Sequence, residues 1–267
     1  MTAARTVLAD AAVVARRNVI KIKRDPEVLV FVLLSPIMFV LLFAYVFGNS
    51  IDVPGTSYRE FLIAGIFAQT VLFGATFTGA GLADDMQKGI INRFRSLPMA
   101  RSAVLAGRTA SDVIYNLLSM VIMGLTGYVV GWRIRGSILE AVGGFVLLLL
   151  FAYAISWIMA YIALLVPSVE VINNASFMVI FPLTFVANTF VPSEDLPGPL
   201  RTFAEWNPVS SVTQASRELF GNIPAGAPEP DAWALQNPVV YTLIWAVIVV
   251  AVFAPMAVHR YQRVAKS

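Results

Sequence analysis

Six apolar runs of roughly 20 residues, almost free of charge, constrain this chain more than any other feature. They fall near Val28–Gly48, Phe61–Ala83, Ala110–Gly131, Ala141–Val166, Val171–Val191 and Val239–Val258. Each is long enough to cross a bilayer core of about 30 Å as an α-helix, and the fourth is long enough to tilt or to extend past it. Of the 267 residues 13% are charged, against about 25% in a soluble domain. The expectation is an all-α integral membrane protein with six transmembrane helices. The chain has no cysteine, which excludes a disulfide framework and a thiolate site. Its single histidine, His259, sits in a basic tail as a solvated or headgroup-facing residue. The apolar run after the charged leader is too long for the core of a cleaved signal, so the leader is read as retained.

Basic residues set the expected orientation. The leader carries Arg5, Arg16, Arg17, Lys21, Lys23 and Arg24, the loop after span 2 carries Lys88, Arg93, Arg95, Arg101 and Arg108, and the tail carries Arg260, Arg263 and Lys266. Placing both termini in the cytoplasm puts all of these inside and leaves Arg59, Arg133, Arg135, Arg201 and Arg217 outside. The reverse topology exposes the larger group to the exterior and is rejected. The domain reading is a cytoplasmic leader over 1–27, a six-span region over 28–258 and a cytoplasmic tail over 259–267.

Three segments outside the spans carry further information. Residues 79–108 are polar and basic, and read as a helix they align Met86, Ile90, Phe94 and Leu97 on one face. Pro98 ends that helix, and Ser102 caps the next. The leader repeats Leu8, Ala12, Ala15, Val19 and Ile22 among its bases, which suits a helix lying on an anionic membrane surface; the same bases serve equally as a topology signal. Residues 192–238 are acid-rich and hold two short amphipathic stretches, Leu196/Leu200/Phe203 and Val212/Ala215/Leu219, separated by Asn207-Pro208. They read either as short helices dipping into the outer leaflet or as a solvated loop with helical turns.

Charge is nearly absent from the middle of every span. Asp112 lies near one end of span 3, Glu140 near one end of span 4 and Glu170 in the turn between spans 4 and 5. Proton- or ion-driven transporters need ionisable groups near the midplane, so the energy for any pumping has to come from elsewhere. No phosphate-binding loop, zinc-protease helix or nucleophile elbow occurs, and no catalytic centre is read in this chain. Uncharged polar residues do enter the spans: Gln69, Thr70, Thr76 and Thr78 in span 2, and Asn173, Asn174, Ser176, Thr184 and Asn188 in span 5. Such groups either bond helix to helix or line a pathway. Asn173, Ser176 or Phe177, Ile180 and Thr184 share one expected face. Small residues at four-residue spacing, Ala152/Ser156/Ala160 and Ala75/Gly79, permit close helix contact.

Three stretches taken together resemble a known family: KGIINRFRSLPMARSAVLAGRTASD (Lys88–Asp112), FPLTFVANTFVPSEDLP (Phe181–Pro197) and EWNPVSSVTQASRELFG (Glu205–Gly221). In this order, on a six-span chain, they resemble the permease subunit of type-2 ABC exporters, in the daunorubicin/doxorubicin-resistance branch. That resemblance implies a coupling helix over 84–100 between spans 2 and 3. Met86, Ile90, Arg93, Phe94, Arg95 and Leu97 would meet a separate cytosolic ATPase there, with Glu170 as a second contact. It further implies an interfacial leader helix and short re-entrant helices before span 6, within 192–238. Two permeases, read as a homodimer, would pair with two ATPase copies. The pathway between protomers would be lined mainly by spans 2 and 5, with Gln69, Phe73, Phe77, Asn173, Phe177, Thr184 and Asn188 as candidates. ATP and Mg would belong to the partner, leaving no cofactor or metal site in this chain and no role for nucleic acid. Val186-Ala187-Asn188 departs from many relatives, which carry Ser or Gly soon after the TF of span 5. The location implied is a bacterial plasma membrane and the cargo an apolar or amphiphilic drug. A lipid or lipid-linked glycan is the alternative cargo. A non-transporting scaffold that recruits a cytosolic partner is the alternative from another class.

Overall fold

The computed structural model describes residues 3–24, 26–47, 57–95, 101–166, 168–193, 196–223 and 229–264. Among these residues the regular structure is entirely helical: α1 (Ala3–Arg24), α2 (Pro26–Leu42, continued by a π-helical turn over Phe43–Phe47), α3 (Tyr58–Gln87), α4 (Ile90–Arg95), α5 (Arg101–Val130), α6 (Ile138–Leu165), α7 (Val169–Phe185), α8 (Gly198–Trp206), α9 (Pro208–Leu219), α10 (Trp233–Gln236) and α11 (Pro238–Val264). α3, α5, α6 and α11 are long and apolar enough to cross a membrane, and shorter apolar helices cover Leu34–Val46 and Val169–Phe185.

Side chains fix several helix starts. The Ser57 hydroxyl accepts from the Glu60 amide at the start of α3, and Ser137 and Glu140 form a reciprocal capping box at the start of α6. Ser168 caps α7. Asn207 caps α9 with Pro208 in its first turn, so the Asn207-Pro208 break separates two helices as expected. Ser102 does not cap: α5 begins at Arg101 and takes Ser102 inside.

α3 is the hub. It packs against α5, α6, α7 and α9, while α11 lies on α6 and α9 and α1 lies on α5. In its most apolar window 72% of α3 is buried within the chain, against 17% for α11. An apolar helix left uncovered by its own chain suits a face turned to lipid. The small-residue rows do serve close packing. Ala152, Ser156, Ala160 and Ala75 are all buried, and a methyl on Gly79 would press on Met159 of α6 and Ile172 of α7. One end of the bundle therefore gathers α1, α4 and the C-terminal turns of α3, α6 and α11, and the other gathers α9 with the N-terminal turns of α3, α6 and α11.

Candidate functional site

At the end that gathers α1, α4 and the last turns of α11, the expected helix over 84–100 is interrupted within its described residues, 84–95. α3 stops at Gln87, Lys88 and Gly89 turn, and α4 resumes at Ile90. Gly89 has φ of 65°, a conformation that costs a residue with a Cβ about 1–2 kcal/mol. The apolar spacing of Met86, Ile90 and Phe94 is real, but this turn places Met86 on one helix and the other two on another. Met86 and Phe94 are half-buried against the core, Ile91 of the same short helix is buried, and Arg93 is exposed. Arg95 closes α4, with its side chain outside the described residues, as is Leu97.

Arg17 of α1 ties this corner together. Its guanidinium makes a two-pronged bond to Asp85 of α3, at 2.8 and 3.1 Å, and lies 5.2 Å from the centre of the Phe94 ring. Asn18 donates to Ser111 of α5 at 3.2 Å. Gly107 lets α1 sit on α5, since a Cβ there would overlap the Ala11 carbonyl and Val14. These contacts fix the side of α1 that packs on the protein. Val14 and Asn18 are buried whereas Ala12 is exposed, because the helix docks on a glycine notch in α5. Glu170 is exposed in the first turn of α7, bonded at 2.9 Å to the Ser168 hydroxyl.

One buried charge pair lies deeper, where α3 crosses α5. The Thr78 hydroxyl donates to Asp112, the Asn116 amide donates to the Asp112 backbone carbonyl at 3.0 Å, and Arg108 donates to the Phe77 carbonyl at 2.6 Å. Arg108 lies 3.7 Å from the Asp112 carboxylate, over Gly81, where any side chain would strike it. The Asp112 charge is therefore turned into the helix contact.

The candidate lining residues divide between buried and exposed positions. Ile172, Ser176, Ile180 and Thr184 are the buried residues of α7; Asn173 shares the helical face of Thr184, three turns away, yet is exposed because the buried row of i, i+4 positions drifts around the helix. Asn173 and Phe177 are on the exposed side, with Phe177 57% exposed. Phe73 of α3 lies against Phe177, with ring centres 6.1 Å apart, and Phe181, Phe185, Phe190 and Phe43 extend this row of rings. Phe77 stacks on Tyr115. Gln69, Thr184 and Asn188 are buried within the chain.

At the opposite end α7 stops early. The expected span ran to Val191, but Pro182 sits inside the helix, α7 ends at Phe185, and residues 186–190 turn irregularly. The backbone groups freed there are taken up by α9 and its cap. The Asn207 amide donates to the Leu183 carbonyl at 2.9 Å, and the Asn188 N–H donates to the Ser210 hydroxyl at 3.1 Å. Arg217, only 2% exposed, donates to the carbonyls of Asn188 (2.7 Å), Thr189 (3.4 Å) and Phe61 (3.1 Å). Its guanidinium carbon lies 3.5 Å from the centre of the Phe61 ring. Gly65 of α3 completes the contact, because a methyl there would overlap the Thr189 carbonyl. At the far end of α9, the N–H groups of Arg135 and Gly136 donate to the Phe220 carbonyl, and the Trp132 indole donates to Asn222. Asn207 and Arg217 are the site residues missed in the choice of candidates: an arginine in an acid-rich segment reads as a solvated charge.

These features define a class: a polytopic helical membrane protein with a small tethered helix at one end and a cross-braced helical cap at the other. The chain belongs to the ABC-2 type transporter family, which it matches over residues 10–220. It is 32% identical over 246 residues to "Daunorubicin resistance ABC transporter permease protein DrrB1" of Streptomyces coeruleorubidus, covering 92% of this chain and 83% of that protein. It is 24% identical over 258 residues to "Probable doxorubicin resistance ABC transporter permease protein DrrC" of Mycobacterium tuberculosis, covering 96% and 90% respectively.

Proposed function

We propose that this chain is the permease subunit of an ATP-driven exporter that carries a hydrophobic or amphiphilic compound of the drug class out of a bacterial cell. The observation that carries this reading is α4. It is a short helix set off from α3 by the Gly89 turn, packed through Phe94 beneath Arg17, at the end rich in basic residues. A cytosolic ATPase that pressed on α4 would move α3 and α1 with it, through Met86, Phe94 and the Arg17–Asp85 pair. In this reading ATP and its Mg are held by the partner, with two ATPase copies serving two copies of the permease. α2 with its π-helical extension and α7 join the four long helices to make six spans, and both termini face the cytoplasm. Glu170, at the same end as α4, gives the ATPase a second contact. α8 fits the membrane boundary on the outer side, since Leu200, Phe203 and Trp206 are exposed beside Trp233 and Tyr241.

The exposed row on α7, with Phe177 against Phe73, supports a pathway between protomers suited to flat apolar cargo. The buried positions of Gln69, Thr184 and Asn188 suit helix contacts better. ATP binding would draw the ATPases together, and the rigid helices would carry that motion to the protomer interface. The test is ATP-dependent uptake of a fluorescent anthracycline into inverted vesicles from cells expressing this chain with a partner ATPase. Uptake that requires both proteins and ATP is the expected result. Loss of both uptake and ATPase binding contradicts the proposal, and ATPase binding without uptake transfers the cargo to a lipid.

A further inference from the structure

We infer that Arg217 is a positioning residue that locks α9, the irregular segment after α7 and the start of α3 into one body, so that this end of the protomer moves as a unit during transport. The inference rests on the exporter reading given above. Arg217 is a permanent cation, and among the described residues its hydrogen bonds go to main-chain carbonyls alone, drawn from two separate elements. Carbonyl dipoles are fixed by their own backbone, so the guanidinium cannot keep these bonds if α9 shifts against α3 or against residues 188–189. A shift of α9 alone would strand a buried charge and unpair the carbonyls that it serves.

Two independent braces act in the same direction. The Asn188 N–H reaches the Ser210 hydroxyl, and the Asn207 amide reaches the Leu183 carbonyl, so the start of α9 is also bound to the end of α7. The backbone contact at Gly65 leaves no room for the 188–189 segment to slide along α3. The consequence is specific. The exit cannot open by lifting α9 away from the broken end of α7; it opens by separating whole protomers, each carrying its cap intact.

The absence of cysteine makes a clean test possible. In the full chain co-expressed with its ATPase, Asn188→Cys and Ser210→Cys would be combined and oxidised to a disulfide in inverted vesicles. Anthracycline uptake would then be compared before and after reduction. The expected result is a ready cross-link with uptake changed less than twofold. Uptake that falls tenfold on oxidation and returns on reduction overturns the inference, as does a pair that fails to cross-link. The unmodified chain is run alongside, so absence of uptake there counts against the exporter reading alone. A second measurement does not depend on transport. Arg217→Met should slow the cross-linking of this pair at least tenfold, and Arg217→Lys should recover part of the rate. An unchanged rate in Arg217→Met contradicts the role assigned to the guanidinium.

Discussion

Two arginines, one at each end of the bundle, do opposite work. Both lie over a phenylalanine ring, Arg17 over Phe94 and Arg217 over Phe61. The Arg17 side chain is 32% exposed and is paired with a carboxylate, so water can replace part of what it loses when the pair opens. Arg217 is buried and held by carbonyls, and nothing can replace those bonds if α9 moves alone. In the exporter proposed above, the first end would yield and re-form where the ATPase pushes, and the second would stay closed on itself and carry the push.

The contrast can be broken most severely at Arg217. Arg217→Met removes the donor shared by the carbonyls of Phe61, Asn188 and Thr189 and should destabilise the protein by about 2–5 kcal/mol, chiefly through Asn188 and Thr189, which lie outside any helix. Thermal unfolding in detergent would measure this, and Arg217→Lys should lose less because the charge is kept and only the fork is lost. Gly65→Ala tests the same end through packing. Its methyl meets backbone rather than a movable side chain, and about 1–3 kcal/mol is expected by the same assay.

The other end should be more forgiving. Gly89→Ala opposes a positive φ in open surroundings and should cost about 1–2 kcal/mol, with the effect seen mainly as a change in hydrogen exchange over 84–95. Asp85→Asn should have the smallest effect on stability, about 1 kcal/mol or less, because the Arg17 side of the pair is partly solvated. Raised salt should narrow the gap between Asp85→Asn and the parent chain and should leave the deficit of Arg217→Met unchanged. Equal salt sensitivity at the two sites would erase the distinction.

The helices were legible because runs of about 20 apolar residues admit few other structures in a bilayer. What escaped was set by contacts distant in sequence or by single residues overruling a period. The spacing of Met86, Ile90 and Phe94 pointed to a helix through Gly89, but a turn that glycine alone adopts without cost ended it. Pro182 was visible, yet how early it would end α7 depended on α9 supplying donors for the freed carbonyls. The leader was placed on a membrane face by its apolar repeat, whereas its docking side was chosen by a glycine in α5. Arg217 left one signal. Its helix is otherwise built from Ser, Val, Thr and Ala over Val209–Ser216, interrupted only by Gln214, and such a run of small residues reads as closely packed. Its partners were main-chain atoms, which no pattern of side chains reveals.

The most direct test of this asymmetry is hydrogen–deuterium exchange of the membrane-embedded chain, with and without its ATPase and a non-hydrolysable nucleotide. Slowed exchange over 84–95, together with unchanged slow exchange over 186–193 and 208–219, is the predicted result. Exchange that stays the same over 84–95, or that quickens in the cap when nucleotide binds, would contradict it.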